Sequence, residues 1–182
     1  MIPSPIGDTQ LQLHARCPQR IAAAYTRAMA ASTKRLSAGA VVVRETPQGL
    51  RFLLLRAFNH WDFPKGLVEN GEEPLQAAVR EVREETTIAD LQFPWGEVHT
   101  ETGPYSRGKT ARYYLAKTST SAIALPVNPE TGRAEHSEYR WVDYETAVKL
   151  VSPRVTPVIE WARRLMGGEA GPQRAAVPDL RY

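Results

Sequence analysis

Cysteine is nearly absent. Cys17 stands alone in 182 residues, so no internal disulfide can form and the chain suits a reducing, cytoplasmic setting. Long apolar runs are missing as well; none approaches the roughly 18 residues a membrane-spanning helix needs, which argues against a membrane partner. Acids are scarce in the first 36 residues, where Asp8 faces Arg16, Arg20, Arg27, Lys34 and Arg35. That bias superficially suits an organelle transit segment, but there is no secretory-type apolar core, and RIAAAYTRAMAAS reads as a short surface helix over about Pro18 to Ala31. Strong net charge is lacking too: 23 basic against 20 acidic residues leave +3 and a pI near 9.1. This favours anionic ligands but is too weak to predict DNA binding, so any basic function must be local. Internal repeats and low-complexity tracts are absent.

What is present fits one soluble domain. Hydrophobic residues at 42% and charged residues at 24% are ordinary for a packed core. The expected boundaries are an N-terminal extension over 1–36, a domain over 37–166 and a Gly/Pro-rich tail over 167–182. The termini could cap the fold, gate a cleft or pair subunits in a homodimer. Ser37 to Glu45 and Leu50 to Ala57 are β-rich runs around the turn-like TPQG and predict a hairpin. Phe58 to Gly66, rich in aromatics with Pro64 and Gly66, predicts a loop. LQFPWGEVHTETG and RGKTARYYLAK predict a second hairpin joined around Gly103 to Gly108, and AIALPV a further strand. EYRWVDYETAVKLV passes from a strand at Tyr139 to Val142 into a helix, and a last helix spans about Arg154 to Met166. Strands and helices in this order predict an α/β sandwich with a mixed sheet.

Between these elements runs GLVENGEEPLQAAVREVREETTI, Gly66 to Ile88. Pro74 suits the first turn of a helix, and Glu72 and Glu73 suit the positive end of its dipole. At 3.6 residues per turn, Glu84 and Glu85 fall at about −60° and +40° from Glu81, so the three carboxylates share a face. Leu75, Ala78, Val79, Val82 and Thr86 form the adjoining arc, expected to be buried. Like charges on one arc repel unless a cation or an arginine offsets them, whereas a solvated surface helix would spread them out.

The spacing of Gly66, Glu72, Arg80, Glu81, Val82, Glu84, Glu85 and Ile88 resembles the box of the Nudix hydrolases, with Thr87 where that family has glycine. The resemblance implies an α/β/α sandwich, a diphosphate-containing substrate, and Mg²⁺, with Mn²⁺ as a substitute. It implies metal-site positions at Gly66, Glu81, Glu84, Glu85 and Glu135. Glu81 and Glu85 are the principal ligands, Glu84 a ligand or the base, and Arg80 the residue that orients them. Glu138 is the rival of Glu135 as the glutamate outside the box.

The flanks HWDFPKG, GKTARYYLA and EHSEYRWVDYETAVKL resemble the asymmetric diadenosine tetraphosphate hydrolases within that family. This similarity implies phosphate contacts at His60, Lys65 and Lys109, with Arg107 as a further cation. Tyr105 is the first choice for stacking on adenine, and Tyr139 or Tyr144 for the opposite wall. The expected reaction is hydrolysis of diadenosine tetraphosphate to ATP and AMP by water attack on phosphorus, with a nucleotide as the small-molecule partner. The alternatives are an RNA 5′-pyrophosphohydrolase, which alone would bring an RNA 5′ end as partner, a nucleoside diphosphate-sugar hydrolase, or a nucleotide-binding module with a decayed box. A β-branched residue is strained at φ > 0, so Thr87 is expected to end its helix differently from glycine.

Overall fold

The computed structural model describes residues 35–106, 108–128 and 131–167. The expected N-terminal helix, Arg107 and the Gly/Pro-rich tail beyond Gly167 lie outside the described residues. No helix among the described residues is long and apolar enough to cross a membrane.

The strands are β1 (Leu36–Thr46), β2 (Gly49–Ala57), β3 (His60–Asp62), β4 (Lys65–Leu67), β5 (His99–Glu101), β6 (Thr110–Lys117), β7 (Val127–Asn128), β8 (Arg133–Ala134) and β9 (Glu138–Val142); the helices are α1 (Pro74–Thr86), α2 (Tyr144–Leu150) and α3 (Thr156–Met166). Seven strands form one sheet with the path β3-β2-β1-β6-β5, to which β4 adds at β1 and β9 at β2. β1 and β6 run parallel while β1 and β2 are antiparallel, so the sheet is mixed.

β1 is the spine. Residues 37–43 are all buried, as a central strand covered on both faces requires. With period two, Val41 and Val43 point to one side and pack with Phe52, Leu54 and the inner faces of α2 and α3, including Ala147, Ile159 and Ala162. Ala40 and Val42 point to the other side and meet Leu53, Leu55 and Val82 of α1. Helices therefore cover both faces of the sheet, the α/β/α sandwich expected.

α1 begins where Pro74 takes a first-turn position and the Gln76 side chain accepts from the Glu73 backbone N–H at 3.4 Å. It ends at Thr87 with φ 64°, and the Thr87 N–H donates to the Arg83 carbonyl at 2.8 Å. Thr87 thus adopts the left-handed geometry of a glycine C-cap, contrary to the expectation that it would avoid it. Its hydroxyl donates to the Thr86 carbonyl at 2.5 Å and accepts from the Ala124 N–H at 3.3 Å, which helps fix this residue where it is.

Other expectations need correction. Phe58 to Gly66 is not simply a loop, because β3 and β4 pair onto β2 and β1. Only Val127 of the expected AIALPV strand lies in a strand; the segment is held instead by the Ala124 N–H donating to the Thr87 hydroxyl at 3.3 Å and, just before it, by the Trp141 indole N–H donating to the Ser121 carbonyl at 2.9 Å, and it contains Pro126. Within LQFPWGEVHTETG the regular strand shrinks to β5, since Gly96 turns at φ 82° after Pro94. Val79 is not buried but 38% exposed, and Ala77 takes its place in the core. Tyr113 and Tyr114 are both buried, on opposite faces of β6.

Candidate active site

The exposed side of α1 forms one wall of a cleft of about 1020 Å³, lined also by Phe93, the segment Leu125–Asn128, Glu135 and His136. Glu81, Glu84 and Glu85 all reach it. Their environments differ. The Glu85 side chain is buried and accepts from the Lys65 backbone N–H at 3.1 Å, while the Glu81 side chain is 13% exposed and that of Glu84 is 59% exposed.

Arg80 holds this face together. Its Nε and Nη2 donate to the two oxygens of Glu72 at 2.8 and 3.0 Å, Nη1 donates to Glu81 at 2.8 Å and to Glu84 at 3.0 Å, and Nη2 also reaches the Leu67 carbonyl. One planar guanidinium therefore links three carboxylates and the strand before the helix, a geometry that an ammonium cannot reproduce. Glu72 is held below the usual carboxylate range by this bond. Rather than serving the helix dipole, it fixes the arginine.

Gly66 has a clear steric reason. A Cβ on it would lie 2.0 Å from Glu81 Oε1, so β4 has room for that carboxylate only because the residue is glycine.

Burial raises the proton affinity of Glu85 against the opposing effects of His136 and Lys65, and burial likewise raises that of Glu81 despite Arg80. The ligand atoms of Glu85, Glu135 and His136 lie within 4.8 Å of one another. His136 Nε2 stands 3.2 Å from Glu85 Oε1, yet neither ring nitrogen has a well-aligned hydrogen-bond partner among the described residues. Two carboxylates and an unclaimed buried imidazole are a set that fits a divalent cation, and the nitrogen suits Mn²⁺ at least as well as Mg²⁺. Glu138 is engaged elsewhere, accepting from Arg56 at 3.2 Å and Arg140 at 2.6 Å.

Beside this acidic cluster is a cationic one. Lys65 Nζ lies 3.2 Å from Asp62, and Asp62 and Glu85 hold the ammonium above its ordinary value although burial opposes them. Asp62 also accepts from Arg154 at 2.9 Å and from the Tyr113 hydroxyl at 2.9 Å. The Arg154 guanidinium stacks on Tyr105 at 4.2 Å, occupying one face of that ring. Burial and then the neighbouring Lys65, Arg35 and Arg154 push the Lys109 ammonium down. Several cations thus crowd together next to Glu85 and Glu135.

Of the residues singled out from sequence, Glu81, Glu84, Glu85, Arg80 and Glu135 share the cleft, and Lys65, Lys109 and Tyr105 belong to the adjoining basic cluster. His60 is exposed at the start of β3, and Tyr139 packs against the core on α1's side of the sheet; neither lines the cleft. Sequence reasoning missed His136, although it directly follows Glu135. It also missed Asp62, although that residue lies inside HWDFPKG, and Arg154, which is 92 residues further along the chain and marked by no local pattern.

The NUDIX domain model matches residues 33–162. An asymmetrical bis(5'-nucleosyl)-tetraphosphatase of Caenorhabditis elegans is 35% identical over 122 residues, covering 63% of this chain and 83% of the relative. An RNA pyrophosphohydrolase of Bartonella henselae is 28% identical over 110 residues, covering 53% of this chain and 64% of the relative. The crystal structure of a C. elegans Ap4A hydrolase binary complex superposes with a TM-score of 0.63 at 30% identity, covering 72% of this chain and 98% of that one. The fold, the box carried on α1 and these likenesses agree: the chain belongs to the NUDIX family and is a Nudix pyrophosphohydrolase.

Proposed function

We propose that the chain hydrolyses diadenosine tetraphosphate to ATP and AMP and needs a divalent cation, Mg²⁺ or Mn²⁺, to do so. The observation that carries this reading is that Lys65 joins two clusters, donating its backbone N–H to Glu85, which groups with Glu135 and His136, while its ammonium shares Asp62 with Arg154 near Lys109. A polyphosphate chain needs both, because its charge must be matched by side-chain cations as well as by metal.

Glu85, Glu135 and His136 would hold the cation, with Glu81 beside them. A bound divalent ion lowers the pKa of water and neutralises phosphate oxygens. Glu81, whose burial favours its protonated form, and Glu84, open to solvent, are the proton acceptors available to the attacking water. Arg80 keeps both oriented. Lys65 and Lys109 bind the phosphates away from the scissile bond, and Tyr105, backed by Arg154, offers its other face to adenine. A cytoplasmic location suits this substrate and the single cysteine.

The likeness to the Bartonella enzyme supports a second reading, removal of pyrophosphate from an RNA 5′ end. Product identification with diadenosine tetraphosphate, 5′-triphosphorylated RNA and a nucleoside diphosphate-sugar, each with Mg²⁺ and with Mn²⁺, separates the readings. ATP and AMP from the first substrate are expected. Turnover confined to RNA would replace the first reading with the second, and equal turnover in the presence of a chelator would remove the cation.

A further inference from the structure

Val79 and Val127 are aliphatic residues left 38% and 60% exposed, and both line the cleft that holds Glu85, Glu135 and His136. At 1.5 Å per residue, Val79 lies about 9 Å along the α1 axis from Glu85, and Leu75 about 15 Å. The cleft therefore extends well beyond the ionisable cluster, and its character changes along the way. Leu75, Val79, Phe93, Leu125, Pro126 and Val127 make that end apolar. Arg83, exposed one turn from Val79 on the same stripe, is a cation at its edge.

Phosphates have little to bind among these aliphatic side chains. A flat, largely apolar group with a polar edge has more: Phe93 supplies a ring, the valines and leucines supply walls, and Arg83 can stack over a base or reach a ribose-linked phosphate. Continuity with the acidic cluster sets what is attached to that group. We propose that this apolar half of the cleft is a subsite for the base and ribose of a nucleoside whose phosphate is held at Glu85, Glu135 and His136. The inference rests on the nucleotide reading above and extends it. Tyr105 does not line this cleft, so the two bases of a dinucleoside substrate would have separate seats on either side of the phosphates.

Isothermal titration of the full chain with AMP and with ribose 5-phosphate, in Mg²⁺, isolates the contribution of the base. The wild type is expected to prefer AMP by about tenfold, and Val79→Asp and Val127→Asp each to abolish that preference. Both side chains are exposed, so the variants should keep the wild-type circular dichroism spectrum and melting curve. In parallel, KM for diadenosine tetraphosphate is expected to rise about tenfold in the variants with kcat within about twofold. Equal affinity of the wild type for the two probes, or a preference for AMP that survives in both variants, overturns the subsite. A wild type that leaves diadenosine tetraphosphate intact defeats the proposed substrate instead, and the comparison of AMP with ribose 5-phosphate still decides the subsite.

Discussion

The Glu81 carboxylate rests on Gly66 so closely that a Cβ on the glycine would fall 2.0 Å from Oε1. Gly66 is not at positive φ, so its identity serves this contact and not a special backbone conformation. Gly66→Ala is expected to keep the fold while displacing Glu81, lowering kcat by about a hundredfold, the scale seen when a positioned catalytic group is misplaced. A double-mutant cycle with Glu81→Gln checks the route: adding Gly66→Ala to Glu81→Gln should cost almost nothing more. Full additivity would mean that Gly66 acts elsewhere.

Glu72 is the fixed end of the Arg80 clamp, accepting from two of its nitrogens. Glu72→Gln keeps the size of the side chain but removes the charge, leaving Arg80 free to neutralise Glu81 and Glu84 more fully. The expected result is a drop in kcat of about tenfold with a loss of about 1 kcal/mol in stability, because the pair is bidentate and only partly exposed. Arg80→Lys should lose at least as much, since one ammonium cannot span Glu72, Glu81, Glu84 and the Leu67 carbonyl.

Much of this site could be read locally. Gly66 to Ile88 is one turn and one helix, so fixed spacing translates directly into a shared face, and the β1–β2 hairpin follows from two β-rich runs around a turn. Val79 shows where periodicity stops being informative: it marks an apolar arc, but the width actually covered depends on the sheet, which reaches Ala77, Ala78 and Val82. Asp62 and Arg154 are 92 residues apart and meet only through the tertiary fold. Thr87 failed for a different reason. Propensity disfavours a β-branched residue at φ 64°, yet the turn demands that geometry and the hydroxyl finds partners in Thr86 and Ala124.

Thr87→Gly therefore sets opposing effects against each other. Relief of the left-handed conformation favours glycine by about 1–2 kcal/mol, while two lost hydrogen bonds and a more flexible unfolded chain each cost about 0.5–1 kcal/mol. Near-cancellation is expected, with the melting temperature within about 3 °C of wild type. Turnover should stay within about twofold, because the glutamates are carried by the helix before this turn. A large loss of activity would show that the threonine hydroxyl positions the site.

Asp62 joins the basic cluster to the core by accepting from the Tyr113 hydroxyl and the Phe63 N–H while pairing with Lys65 and Arg154. Asp62→Asn keeps an acceptor but leaves partly buried Arg154 without its carboxylate partner and Lys65 with Glu85 alone. Loss of about 1–3 kcal/mol is expected by thermal melting. Inorganic tripolyphosphate should recover part of that loss more effectively than it stabilises the wild type, since it supplies the missing negative charge. Equal shifts in both proteins would separate this cluster from phosphate binding.

Asp90, just beyond α1, accepts from the hydroxyls of Thr118, Ser119 and Thr120 and from the Ser119 N–H, so it ties the end of the helix segment to the end of β6. The Ser119 hydroxyl, followed by that of Thr118, holds this carboxyl well below its ordinary value of 3.8. A carboxylate depressed by folding stabilises the native state fully above its unfolded pKa, and the contribution is lost as pH falls through the lower folded value. The gap in melting temperature between wild type and Asp90→Asn should therefore be constant from about pH 5 to 8 and shrink below about pH 4. Its plateau corresponds to about 1–2 kcal/mol for hydrogen bonds to a charged acceptor. Melting curves across that range test the assignment, and a gap that widens on acidification would reverse it.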